Sequence, residues 1–199
     1  TQELPQVIAP KAGYIYNANH SPFRSTGTDE NPNPDDFAEA MNYERYDNNR
    51  STRLFALLNE KDTLSFEDFK RIKYDRKLPT PLNYNFIDFN ALFDMNPKEY
   101  PDVALVLQQI QEWDRVADAN SYGAGAYAVF YYSLGEYYSQ LGPSKIIDPP
   151  LIYTCLKEAK AYMLKHFGTT EIRLGDFQKL VRGDKELPIY GLPDVITAM

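Results

Sequence analysis

The chain has 199 residues with 21 Lys and Arg against 28 Asp and Glu, a net charge of -7 that excludes a basic nucleic-acid surface. Its 43% hydrophobic fraction, with 16 Tyr, 11 Phe and one Trp, describes a folded chain able to bury one core. No apolar stretch approaches the roughly 18 to 20 residues that span a bilayer. The single cysteine, Cys155, can form no internal disulfide, and His20 and His166 alone are too few for a zinc site. No basic start followed by an apolar run marks a leader peptide, and the absence of Met at position 1 suggests a processed or excised piece.

Residues 1–23 read as an extended segment in which Pro5 and Pro10 demand an edge or irregular path. The apolar run Gly13-Tyr14-Ile15-Tyr16 looks strand-like and ends in Asn17-Ala18-Asn19-His20, then Ser21-Pro22. Asn tolerates unusual backbone angles and carries a two-donor amide. This element is therefore either a turn that closes a strand or a donor presented to an oxygen that gains negative charge. Residues 24–49 form a long loop, rich in Thr, Gly, Asp, Asn and Pro between Ser25 and Asp36.

From residue 50 to 199 the pattern is helical. Leu54, Leu57 and Leu58 share one face of a helix opening at Arg50. Ser65 caps a second helix, with Glu67 and Asp68 in its first turn. A third helix is expected over 102–116 and a fourth over about 124–141. A fifth starts at Pro149-Pro150 and stops at Gly168. Tyr127, Phe130, Tyr131, Leu134, Tyr137 and Tyr138 mark one helix face, either core packing or the wall of an acyl pocket. Gly175 to Leu180 is short and of undetermined type, and the tail from Leu187 reads as irregular. The fold class is mainly α, as a single helical unit.

Several segments, in order, resemble the penicillin acylase family of N-terminal nucleophile hydrolases. They are PQVIAPKAGYIYNANHSPF, NNRSTRLFALL, LSFEDFKRIKYD, VLQQIQEWDRVADANSYGAGAY and EIRLGDFQKLVRG with LPIYGLPD after it. The resemblance implies the helical portion of a β chain, with residues 1–23 joining the αββα sandwich of the full enzyme. It implies an amide hydrolase whose β-chain N-terminal Ser, exposed by self-cleavage, forms an acyl-enzyme. The third residue of the family's NANN element, Asn19 here, donates to the oxyanion, and the Arg opening the next helix supports it. Arg50 takes that role by alignment, with Arg45 and Arg53 as alternatives. His20 departs from the family's second Asn.

Thr1 stands 18 residues before Asn19, far closer than the family's nucleophile, so it is rejected as the catalytic residue. The nucleophile and most of the sheet are then expected elsewhere, leaving this piece inactive alone. The implied partners are the α chain, the N-terminal part of the β chain and a small N-acyl substrate, and the implied location is the periplasm. No cofactor is needed for the chemistry, but a structural Ca2+ is implied, with Asp29 and Glu30 as its candidate ligands. The last segment is also similar to relatives that cleave N-acyl-homoserine lactones. The competing class is a helical interaction module without chemistry.

Overall fold

The computed structural model describes residues 4–84, 87–137 and 146–197. Its regular elements run in the order α1 (Asn49–Leu58), α2 (Phe66–Lys73), α3 (Ala104–Gln111), α4 (Tyr122–Gly135), α5 (Pro149–Phe167), α6 (Leu174–Phe177), β1 (Lys179–Arg182) and β2 (Lys185–Pro188). Short 3-10 turns punctuate the loops, and the protein is mostly helical, as the periodicity indicates.

The helix starts follow from capping chemistry. Asn48 and Ser51 bond reciprocally at the head of α1, and Ser65 and Asp68 do the same at α2. Helix α2 also places Glu67 and Asp68 in its first turn and Lys70, Arg71 and Lys73 in its last, matching the helix dipole. Asp148 caps α5, prolines follow at its first positions, and Gly168 ends it at φ 73°.

Two cores form. The larger one gathers α3, α4, α5 and the segment before α3, with Leu78, Phe89, Leu107, Tyr127, Phe130 and Leu156 among its fully buried side chains. Helix α4 is buried over most of its first nine residues, as a helix apolar all round must be. The smaller core holds Tyr16, Leu57, Leu58 and Ile72, with Tyr14, Leu54 and Ile196 packed against it. It ties the N-terminal segment to α1 and α2.

The structure revises four expectations. The Gly13–Tyr16 run forms no strand: Tyr16 N–H donates to the Ser25 carbonyl at 2.9 Å, but no ladder follows because no described strand lies beside it. The third helix stops at Gln111, five residues short of 116, where the chain turns. There the Asp114 carboxylate accepts the Val116 N–H and Arg115 adopts φ 67°. Residues 175–188 complete α6 and make an antiparallel hairpin, with Gly183 at φ 59° in its turn, so the tail from Leu187 is not wholly irregular. The fourth helix runs from Tyr122 to Gly135 with Glu136 as its C-cap, short of the expected end; Tyr138 and residues 139–141 lie outside the described residues. The aromatic face is core packing at Tyr127, Phe130 and Leu134, while Tyr131 is half-buried.

Small residues in Ser121-Tyr122-Gly123-Ala124-Gly125 let neighbours approach α4 closely. A methyl at Gly125 would collide with the Ile172 carbonyl oxygen and press on the Arg173 backbone. Both are backbone atoms, so the contact cannot be relieved by a rotamer change. Gly125→Ala is therefore expected to lower stability by about 1–3 kcal/mol, read as a lower urea midpoint at unchanged slope; an unaltered midpoint would refute this packing account.

Candidate active site

The turn at 17–20 is fixed from several sides. Asn17 Oδ1 accepts the Asn19 N–H at 2.8 Å, closing an Asx turn. Asn19 sits at φ 55°, a left-handed conformation that Asn tolerates better than most residues. His20 is buried, stacked on Tyr16 with ring centroids 4.8 Å apart. Its Nδ1 accepts the Ala18 N–H at 3.1 Å and its Nε2 donates to the Arg24 carbonyl at 2.8 Å. These two bonds require a neutral ring with the proton on Nε2. His20 is thus a brace for the turn, with neither ring nitrogen left for a reacting group.

Asn48 connects this turn to α1. Its Oδ1 accepts the Ser51 N–H at 2.8 Å as the helix cap. Its Nδ2 donates to the Ala18 and Asn19 carbonyls at 2.9 and 3.0 Å. Because Asn48 is the N-cap, Arg50 lies in the first turn of α1, directed back at the turn. Arg50 Nη1 donates to Asn19 Oδ1 at 3.1 Å, and its Nε donates to Asp194 Oδ1 at 3.0 Å. The other Asp194 oxygen accepts the Asn49 N–H at 2.8 Å. This places a carboxylate at the positive end of α1, where the dipole favours it.

Asn19 Oδ1 is held by a guanidinium, and its Nδ2 has no hydrogen-bond acceptor among the described residues. Asn19 borders a cavity of about 270 Å3 together with Arg50, Asp194, Glu44, Tyr84 and Tyr131. The Tyr84 hydroxyl lies 2.9 Å from that of Tyr127. Burial first, then the neighbouring Tyr127, raises Tyr84 well above the usual phenol range, so it remains a protonated hydroxyl at neutral pH.

Of the sequence candidates, Asn19 and Arg50 are brought into contact. The alternatives point elsewhere: Arg45 donates to the Pro34 carbonyl, and Arg53 makes a two-bond pair with Asp75 at 3.1 and 2.7 Å. Sequence reading missed Asn48, Asp194, Tyr84 and Glu44. The Asn48-Asn49 pair before an amphipathic run was a cap signal for the first of these; no local signal marks Asp194, which lies 144 residues from Arg50. Cys155 is fully buried in α5, and burial pushes its thiol up to about 12, as befits an inert core residue.

Residues 1–186 match the family profile described as Penicillin amidase. This chain belongs to that family. No curated protein matches the chain in addition. Penicillin amidase membership carries amide hydrolysis as the general activity.

Asp29 and Glu30 lie apart from this pair. Glu30 Oε1 and Oε2 accept the Lys11 and Ala12 N–H groups at 2.6 and 2.8 Å, clasping the N-terminal segment to the loop. Calcium takes about six to eight oxygen ligands, and the described residues hold no group of three or more acids, His or Cys that could share a metal.

The two backbone donors hold the Glu30 carboxyl below its usual range. Its contribution is therefore present above the unfolded carboxylate value of about 4.3 and is lost as pH falls through the lower folded value. Glu30→Gln is expected to reduce the thermal midpoint at neutral pH, with the gap to the parent protein narrowing progressively as pH falls below the unfolded carboxylate value. A gap that persists unchanged in acid would show that Glu30 acts otherwise.

Proposed function

We propose that the Asn19 side-chain amide is an oxyanion-hole donor of an amidohydrolase that cleaves N-acyl bonds, held in place by Arg50. The observation that carries this reading is the bond from Arg50 Nη1 to Asn19 Oδ1. It leaves the amide nitrogen as the free end, and the guanidinium charge strengthens the amide as a donor by polarising it. Family membership favours this reading over a non-catalytic helical module.

In the proposed reaction a hydroxyl nucleophile attacks the substrate carbonyl carbon while its proton passes to a free α-amine. The carbonyl oxygen takes up the electron pair and is stabilised by Asn19 Nδ2–H. Collapse expels the amine, which takes the proton back, and leaves an acyl ester that water hydrolyses. None of the described residues bordering the Asn19 cavity is Ser, Thr or Cys. The reading therefore draws the nucleophile from another part of the enzyme, with this piece inactive alone. Thr1 lies outside the described residues and remains rejected as nucleophile.

Asp194 is a positioning residue in this scheme. It pairs with Arg50 Nε and so leaves Nη1 to reach Asn19. The acyl specificity belongs to the cavity wall, where Tyr84 and Tyr131 present ring surface. Calcium takes no part in any step. The same reading carries the family's export to the periplasm with it.

In the intact enzyme Asn19→Ala is expected to lower kcat by roughly 100- to 1000-fold with KM little changed. Turnover that survives Asn19→Ala would refute the assignment.

Arg50→Lys exchanges a planar fork for a single point charge, which cannot serve Asp194 and Asn19 together. It is expected to cost roughly tenfold or more in kcat, and Asp194→Asn less than Asn19→Ala. If Arg50→Lys raises KM with kcat unchanged, Arg50 contacts the substrate directly instead of positioning Asn19.

A further inference from the structure

A recess of about 500 Å3 lies between α4 and α5, closed at one end by α6. It shares no lining residue with the Asn19 cavity. From α4 come Val129, Tyr132 and Ser133 and from its C-cap Glu136, the i, i+3, i+4, i+7 stripe of one helix face. On α5 it is lined by Glu158 and Tyr162, one turn apart.

Three rings converge there. Tyr132 and Tyr162 stand around Phe177 with centroids 5.7 and 6.3 Å from it. Two carboxylates, Glu136 and Glu158, supply negative charge, Glu158 Oε1 also accepting the Tyr137 hydroxyl, and no Lys or Arg is among the described lining residues. Rings with carboxylates, and no cation among the described lining residues, favour a cationic guest, since the ring faces attract positive charge and the acids repel an anion.

A second observation concerns Gln178, which lines the recess and is 9% exposed. Its Nε2 donates to the Gly191 and Ile189 carbonyls at 2.7 and 3.3 Å, which fixes which end of the amide is oxygen. The Oε1 atom is buried without a hydrogen-bond partner. A buried acceptor left unpaired is unfavourable, and it is relieved by a ligand that brings an N–H.

We propose that this recess binds a protonated organic amine with an apolar body. The ammonium N–H groups satisfy Gln178 Oε1 and the two glutamates, and the body packs on Tyr132, Tyr162 and Phe177. A quaternary ammonium has the charge but no N–H to give. A neutral alcohol has the hydroxyl but no charge.

The test is calorimetric titration of the protein with phenethylammonium, phenyltrimethylammonium and 2-phenylethanol at neutral pH. One-to-one saturable binding is expected for phenethylammonium, with each analogue weaker by roughly tenfold. Glu136→Gln with Glu158→Gln should weaken phenethylammonium by a similar factor. Tyr162→Leu, at a surface position, should do so without altering either carboxylate. Absence of saturation, equal affinity for 2-phenylethanol, or affinity unmoved by both sets of substitutions in folded protein would overturn the proposal. Turnover plays no part in the readout, so failure here is separable from failure of the Asn19 assignment.

Discussion

The Asn48 side-chain amide is bonded at both of its ends: the oxygen starts α1 by accepting the Ser51 N–H, and the nitrogen grips the carbonyls of Ala18 and Asn19. An amide is rigid and planar, so the helix axis and the Asn turn are held in one fixed relation. Everything else in the site inherits that relation. Arg50 faces Asn19 because it falls two positions after the cap, and Asp194 meets the first turn because the N–H groups there are otherwise unpaired. Replacing Asn48 would remove a helix cap and release the turn together, which is why its contribution cannot be divided between stability and site geometry.

Backbone strain and its compensation are gathered in the same few residues. A non-glycine residue in the left-handed region persists only where its surroundings over-determine it. Asn19 is fixed by the Asx bond from Asn17, the two-carbonyl grip of Asn48, the brace of His20 and the guanidinium on its own side chain. The substitution of His for the family's second Asn is accommodated because the imidazole bonds on both sides, to Ala18 and Arg24. It acts as a strut in the turn.

Much of the helical architecture was legible in the sequence, since caps, periodicity and stop signals are local. Ser65, the Pro149-Pro150 start and Gly168 each specify an element boundary within a few residues. Asn19 was legible as a polar group at the end of an apolar run, and family resemblance singled out Arg50. What local pattern could not give was the partner that arrives from far along the chain. Asp194 lies in a stretch with no periodicity, and its position is decided by where the C-terminal segment packs. The Gly13–Tyr16 run failed for a related reason: alternating apolar residues announce a strand only when another strand is there to pair with, and pairing is a tertiary fact. The hairpin at 179–188 was obscured because all eight of its strand residues are exposed, so no alternation of burial shaped its composition.

The stretch from Leu192 to Thr197 crosses from one core to the other. Leu192 and Val195 are buried in the large core, Ile196 packs against the small one, and Thr197 bonds the backbone of Lys73 and Asp75 at the end of α2. Asp194 sits in the middle of this seam. The Asn19 turn therefore follows the Tyr16 anchor of the small core, while the tyrosines of the cavity wall pack on the large one. Inheritance can then act on the two separately. Substitutions that reshape the wall can accumulate around α4 without disturbing the donor, so long as the stitch between the halves is kept. On the proposed assignment, a scaffold divided in this way can diversify in what it accepts while the Asn19 turn stays unchanged.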